Sequence, residues 1–232
     1  MPRIVTALIA LFLLLAPPVS AQSNPVVVEL FTSQGCSACP PADALMHGLA
    51  RRDDVIALAL HVDYWDYIGW KDEFARPGNT ARQRGYARAA GRDMIYTPQM
   101  IVNGQQDVVG AHARELADII TLYRAQTPKA QISADRTGSA LRIHAEPLQD
   151  LQGRLTVHLI RYTPLRSAQI TRGENAGRDL DYANVVDDWT ELGLWDGTDP
   201  LDLSIELQGD RPAVVLIQQP GPGAIVAATQ VR

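Results

Sequence analysis

Hydrophobic and polar positions alternate on two different periods along this chain, and the change from one to the other divides it. Val26 to Phe31 (VVVELF) and Val55 to Val62 (VIALALHV) are short apolar runs rich in β-branched residues, the pattern of buried strands. Between them Cys39 to Ala50 reads as a helix, with Pro40 and Pro41 in its first turn, where a missing N–H costs nothing. Asn79 to Ala90 follows as a polar, Arg-rich helix ended by Gly91. Gln99 to Val102 and a strand through Val109 flank Asn103-Gly104, the strongest short hairpin signal. His112 to Ala125 closes this half as an amphipathic helix with Leu116, Ile119, Ile120 and Tyr123 on one face.

The order is β-α-β-α-β-β-α, a parallel pair joined by a crossover helix and extended by an antiparallel hairpin. Past Thr127-Pro128 the pattern changes to short strands separated by turns: Gln131–Ala134, Leu141–Ala145, Leu155–Tyr162, Leu201–Leu207, Ala213–Gln218 and Ala224–Thr229. The expected organisation is an α/β domain over residues 22–127 followed by an all-β, sandwich-like domain over 128–232. The first 21 residues stand apart from both. Arg3 supplies a positive end, Ile4 to Ala16 is uncharged and apolar, and Val19-Ser20-Ala21 offers small residues for cleavage, as in a secretory signal. The mature chain is expected to be periplasmic or secreted, cut after Ala21, without a membrane anchor.

Composition adds little beyond solubility. The net charge of −5 becomes −6 once Arg3 is removed, and mild acidity offers no footprint for nucleic acid. No Ser-His-Asp constellation, phosphate-cradling glycine loop or HExxH helix supports a hydrolase or a kinase.

The chemistry concentrates in Ser33 to Pro41 (SQGCSACPP), which holds both cysteines of the chain, Cys36 and Cys39. An oxidising compartment lets such a pair form a disulfide. A cysteine at a helix N-terminus gains thiolate character from unpaired N–H groups and the helix dipole, and one a turn further on can resolve a mixed disulfide. Two other readings stand beside this one. A structural staple over so short a loop contributes only about 2 kcal/mol, against about 4.7 for a hundred-residue loop. Zinc lacks a second pair of ligands, whereas copper has both thiolates and His61 to draw on.

Cys36-Ser37-Ala38-Cys39 opening a helix, with Thr97-Pro98 just before a later strand, resembles the thioredoxin superfamily over Val26 to Arg124, in the glutaredoxin-type arrangement. More narrowly, "ELFTSQGCSACPPAD", "HVDYWDYIGWKDEFA", "TPQMIVNG" and "RGENAGRDLDYANVV" resemble the secreted, thioredoxin-like DUF1223 family over nearly the whole mature chain. The resemblance implies a thiol-disulfide oxidoreductase that needs no cofactor or metal. Its partners would be a disulfide-containing protein or small thiol and a redox partner that resets the dithiol. Cys36 and Cys39 would exchange, a cis Pro98 would shape the groove with Thr97, and Glu29 would relay a proton beneath the pair. The copper-binding or redox-sensing alternative works without turnover. Gly35 before the first cysteine and Ser37-Ala38 between the two depart from thioredoxin itself, which leaves the direction of electron flow open.

Tyr64, Trp65 and Trp70 are expected to form a substrate wall, or else to cover an interface between the two halves. Asp43 and His47 fall on the face of the helix below Cys39, where a solvated face is the plainer expectation. Tyr96 precedes Thr97-Pro98 and is a neighbour for the dithiol. Arg172 to Asp179 is a charged, Gly-punctuated loop that either stays solvated, binds a partner or docks on the first half.

Overall fold

The computed structural model describes residues 24–151 and 153–231; the expected signal segment lies outside the described residues. In chain order the elements are β1 (Val26–Thr32), α1 (Pro40–Leu49), β2 (Val55–His61), a single 3-10 turn (Asp66–Ile68), α2 (Pro77–Ala89), β3 (Gln99–Val102), β4 (Gln106–Val109) and α3 (Ala113–Arg124). Strands follow: β5 (Ala130–Thr137), β6 (Ala140–Pro147), β7 (Leu155–Ile170), β8 (Arg178–Trp195), β9 (Leu201–Glu206), β10 (Ala213–Gln218) and β11 (Ile225–Val231). The first half keeps the expected order, with boundaries displaced by one or two residues. Among the described residues no helix is long and apolar enough to cross a membrane.

β1 and β2 run parallel from Val26↔Val55 to Thr32↔His61, with α1 as the crossover, and β3 pairs antiparallel to the other side of β1. All seven residues of each of these parallel strands are buried, because each face of the sheet is covered. On one face Val26, Val28 and Leu30 meet Ala42, Met46, Leu116 and Ile120 from α1 and α3. On the other, Val27 and Phe31 meet Leu58, Leu60, Ile160, Val214, Leu216 and Tyr86.

The second half departs from expectation. Its strands do not make a sandwich of their own. They divide between a three-stranded sheet, β5-β6-β9, and an eight-stranded sheet in the order β11-β10-β7-β8-β2-β1-β3-β4. The small sheet packs Ile132, Leu141 and Ile143 onto Leu155, Val157, Val215 and Val226 of the large one, so a two-layer arrangement exists, but only over that end. The connection at Thr127-Pro128 is a boundary in chain order rather than in the sheet.

What joins the halves is β8, an 18-residue strand that hydropathy did not predict. It pairs with β7 in a long antiparallel ribbon and touches β2 in parallel at Ala59↔Val185. Asn184 beside that pair has φ 50°, a left-handed conformation that asparagine tolerates better than β-branched residues do, and its Nδ2 donates to the Ala57 carbonyl at 2.9 Å. The large sheet also curls until its far edge returns. Asn103 and Gly104 both have positive φ, as the hairpin turn requires. The Asn103 carbonyl accepts from Ile225 N at 2.9 Å, and a Cβ on Gly104 would lie 2.2 Å from the Gly223 carbonyl oxygen. No larger residue fits there.

Replacing Asn184 by Ala removes a buried hydrogen bond at the seam and puts a Cβ-bearing residue without a polar side chain at positive φ. The expected loss is about 2–3 kcal/mol in urea unfolding, with Asn184→Gly losing less because glycine takes that φ freely. Equal loss in both variants would contradict the conformational part of this account.

Candidate functional site

Cys36 and Cys39 form a disulfide at the head of α1, with the two Cα atoms 5.4 Å apart. Cys39 is the N-cap residue, its carbonyl accepting from Ala42 N and Asp43 N, while Cys36 lies in the turn before it, its N–H bonded to the Ser33 carbonyl at 3.2 Å. The preceding segment is held from one side by Asp72, whose Oδ2 accepts from Gln34 N at 2.9 Å. Both cysteines are buried, Cys36 at 1% exposure and Cys39 at 0%, although Ser37 and Ala38 between them are exposed.

Two segments produce that burial. The first is the aromatic stretch after β2. Gly35 packs so closely on it that a Cβ there would lie 3.2 Å from both Trp65 Cβ and Ile68 Cδ1. Trp65 Nε1 donates to Thr97 Oγ1 at 2.7 Å, and Trp70 Nε1 donates to Gln34 Oε1 at 2.7 Å. Thr97-Pro98 is a cis peptide bond leading into β3. A chain of direct contacts thus runs from the dithiol turn through Trp65 to the residue before Pro98. The Tyr64 hydroxyl donates to Gln83 Oε1 at 3.2 Å and lies near the Thr97 side chain, and burial pushes that phenol up to about 12. The aromatic residues are therefore largely spent on packing and hydrogen bonds within the fold.

The second segment is the tip of the β7–β8 ribbon, the charged, Gly-punctuated loop of the sequence. It docks on the first half. Asn175 Nδ2 donates to the carbonyls of Gln34 at 2.9 Å and Cys36 at 3.0 Å, and Glu174 Oε2 accepts from Ser37 N at 3.2 Å.

Glu29 does not lie beneath the dithiol. The period of two along β1 puts it on the face opposite α1, with Val27 and Phe31. There it is wholly buried and paired to Arg82, Nε to Oε1 at 2.6 Å and Nη2 to Oε2 at 3.0 Å, and it accepts a further hydrogen bond from the Tyr86 hydroxyl. Arg82 also stacks over Trp189, 3.8 Å from the ring centroid. This is a structural ion pair on the α2 side, next to a cavity of about 550 Å³ lined by Arg82, His158, Trp189 and Gln218 that includes no residue of the dithiol turn.

The carboxylate on the dithiol side is Asp43, in the first turn of α1. It was expected on a solvated face, yet it is buried against β8, and neither of its oxygens has a hydrogen-bond partner among the described residues. Burial pushes its pKa up to about 7, an effect tempered by the charge of His61 and by the nearby Thr32 hydroxyl, which stops short of a well-formed hydrogen bond. His61 and Thr32, register partners on adjacent strands, share this side with Tyr182. His61 Nδ1 donates to Asp72 Oδ2 at 2.7 Å, its ring stands 4.7 Å from that of Tyr182, and among the described residues neither its Nε2 nor the Tyr182 hydroxyl has a hydrogen-bond partner. Tyr96 faces elsewhere, donating to Asp107 Oδ2 at 2.7 Å. His47 Nε2 meets the Asp181 carbonyl at 3.1 Å, which fastens α1 to β8.

With Cys36 and Cys39 joined in a disulfide, no three His, Cys, Asp or Glu side chains among the described residues cluster closely enough to share a metal ion. Asp72, Tyr182, Gln34 and Asn175 all lie in the stretches that carry the family resemblance, but the sequence assigned none of them a role of its own.

The fold and site together define a mixed α/β protein with one large sheet, few helices and a buried disulfide at the head of a helix. A family described as "Protein of unknown function (DUF1223)" matches residues 27–218, and the chain belongs to it. It is similar to a crystal structure of an Agrobacterium tumefaciens protein, with 34% identity, a TM-score of 0.78, and 91% of this chain and 96% of that one covered. It also shares a fold with HBP35 of Porphyromonas gingivalis, at 17% identity and a TM-score of 0.60, over 90% of this chain and 74% of that one. No curated protein matches.

The raised pKa of Asp43 sets a pH dependence. The folded state holds a proton there that the unfolded chain releases near pH 4, so this contribution to stability is complete below about pH 4 and is lost as pH rises to about 7. Wild type should lose up to a few kcal/mol relative to Asp43→Asn across that window, read from urea midpoints at pH 4.5 and 7.5. A constant difference between the two proteins would show that Asp43 does not titrate there.

Proposed function

We propose that the protein is a thioredoxin-like thiol-disulfide oxidoreductase of the periplasm or extracellular space, with Cys36–Cys39 as the exchanging pair. The observation that carries this reading is the disulfide at the head of α1, on the connection out of the interior strand β1. The β-α-β-α-β-β-α order of residues 26–124, with Thr97-Pro98 leading into β3, the neighbour of β1, supports it. The secretory character of residues 1–21 supports the compartment.

In the oxidised state the pair accepts two electrons. A substrate thiolate attacks Cys36 Sγ, the Cys36–Cys39 bond breaks, and its electron pair leaves on Cys39 Sγ, which takes up a proton. The second substrate thiol, deprotonated, attacks its own sulfur in the mixed disulfide and releases Cys36 as a thiolate. The substrate leaves as a disulfide and the protein as a dithiol. Run backwards, the same steps reduce a client. The helix dipole at the head of α1 favours negative charge on the departing Cys36 sulfur, with no N–H from Pro40 or Pro41 to add to it. In this reading Asp43, one turn along the helix from Cys39 and without a hydrogen-bond partner among the described residues, takes the proton-relay role expected of Glu29. The clients are disulfide-bearing proteins or small thiols, and a further redox protein resets the pair.

The test is catalysis of ribonuclease refolding and of insulin reduction at substoichiometric protein. Turnover is expected in one of the two and should fall to background in Cys36→Ser. Activity that survives in that variant would remove the reading.

A further inference from the structure

The disulfide that exchange requires is shut away in this structure, and the element that shuts it away belongs to the other half of the chain. We propose that the tip of the β7–β8 ribbon, residues 171–177, is a cover that must lift before Cys36 can react. Asn175 and Glu174 are then the residues that govern access. The inference deepens the oxidoreductase reading by adding a gate to the same site.

The tip is a compact structure in its own right. Gly177 N donates to the Ile170 carbonyl at 2.7 Å and Ala176 N to the Gly173 carbonyl at 3.2 Å, closing the turn between the two strands. Gly173 has φ 77° and stands against Trp70, where an added Cβ would come within 3.3 Å of Trp70 Cβ. Asn175 is the latch. It is 1% exposed, and its amide nitrogen spends both protons on the dithiol turn, on the Gln34 and Cys36 carbonyls. Its Oδ1 accepts from Arg178 Nη1 at 3.0 Å, which fixes the amide's orientation from behind. Glu174 adds a contact at the rim, on Ser37 N.

Thiol-disulfide exchange needs the attacking sulfur to reach the sulfur under attack, so a pair at 0–1% exposure reacts only through an open state. The ribbon is suited to local opening. Below the tip the ribbon is held by the Ala59↔Val185 pair, by the His47 ring on the Asp181 carbonyl, and by a buried cluster of Phe74, Ala168, Ile170, Tyr182 and Val185. Lifting residues 171–177 breaks the Asn175 and Glu174 contacts and the packing of Gly173 on Trp70, and leaves that cluster in place. Ser37 and Ala38 are exposed even in the closed form, which gives an approaching polypeptide a first point of contact beside the latch.

The experiment measures reduction of the Cys36–Cys39 disulfide in the full-length protein by dithiothreitol, in wild type, Asn175→Ala and Glu174→Ala. Asn175→Ala is expected to react at least about fivefold faster, the scale of losing two buried neutral hydrogen bonds. Glu174→Ala changes an exposed side chain that leaves the fold intact, and should react faster by a smaller factor. Amide exchange separates opening from unfolding: the Ser37 amide should exchange faster in both variants while amides of β1 do not change. Equal reduction rates in all three proteins would overturn the cover, as would acceleration matched by equally faster exchange throughout β1. If Asn175→Ala fails to fold, Glu174→Ala alone decides, with an unchanged rate overturning the proposal. Dithiothreitol reports on access whether or not the protein has clients. Faster reduction without any exchange activity would therefore retire the oxidoreductase reading and keep the cover.

Discussion

The arrangement depends on one seam, the contact of β8 with β2. A single parallel register pair, Ala59↔Val185, and the Asn184 amide on the Ala57 carbonyl bring the C-terminal strands into line with the N-terminal ones. Without the seam the first half would expose the free edge of β2, a strand buried along its whole length, and unpaired edges of that kind invite pairing with other chains. With it, the inner face of the curled sheet becomes one continuous apolar layer, drawing Phe31, Leu58 and Leu60 from one half and Ile160, Val214 and Leu216 from the other. The seam also sets the direction of the β7–β8 ribbon, and that direction carries the tip across the head of α1. Architecture and access to the disulfide are therefore consequences of the same join.

The first half was legible because its signals are local. Apolar runs, prolines at a helix start and Asn-Gly between strands each act over a few residues, and the elements they predicted are present. β8 was illegible for an equally physical reason. Its sequence, RDLDYANVVDDWTELGLW, carries charge almost throughout, and only Tyr182 to Asp187 is continuously buried. The rest is stabilised by ladder bonds to β7, from Ile170↔Arg178 near the tip to Leu155↔Trp195 at the far end, which depend on a partner strand rather than on composition. Asn184 interrupts the alternation at the point where the strand turns toward β2. A separate all-β domain was the natural inference from short strands and turns, but strand number does not say which sheet a strand joins.

The site shows the same division. The cysteine pair and Thr97-Pro98 were visible as motifs. Glu29 was assigned to the dithiol by the thioredoxin resemblance, whereas strand parity turns it to the opposite face, into the grip of Arg82 and Tyr86. Asp43 lies four residues past Cys39, one helical turn on, and that spacing does point beneath the pair. What spacing could not supply was the wall that buries it, because Tyr182 and the backbone around it arrive from β8. A carboxyl becomes chemically distinctive through its surroundings. Here they are contributed by a strand that hydropathy did not reveal.

The cover and the disulfide are matched in charge. A disulfide is neutral and sits in a dry, enclosed place without penalty, so the closed arrangement suits the oxidised protein. Reduction changes the terms. A thiolate at Cys36 would have few amides to draw on, because Pro40 and Pro41 carry no N–H and the neighbouring Ser37 N–H is already held by the Glu174 carboxylate. The Ser37 hydroxyl and that N–H keep Glu174 below the usual glutamate range, so it stands as an anion beside the dithiol turn. On the oxidoreductase reading, a thiolate formed under the closed tip would meet a like charge, and like charges repel. In that reading the Glu174 contact on Ser37 favours the neutral disulfide, and withdrawing the tip relieves the repulsion.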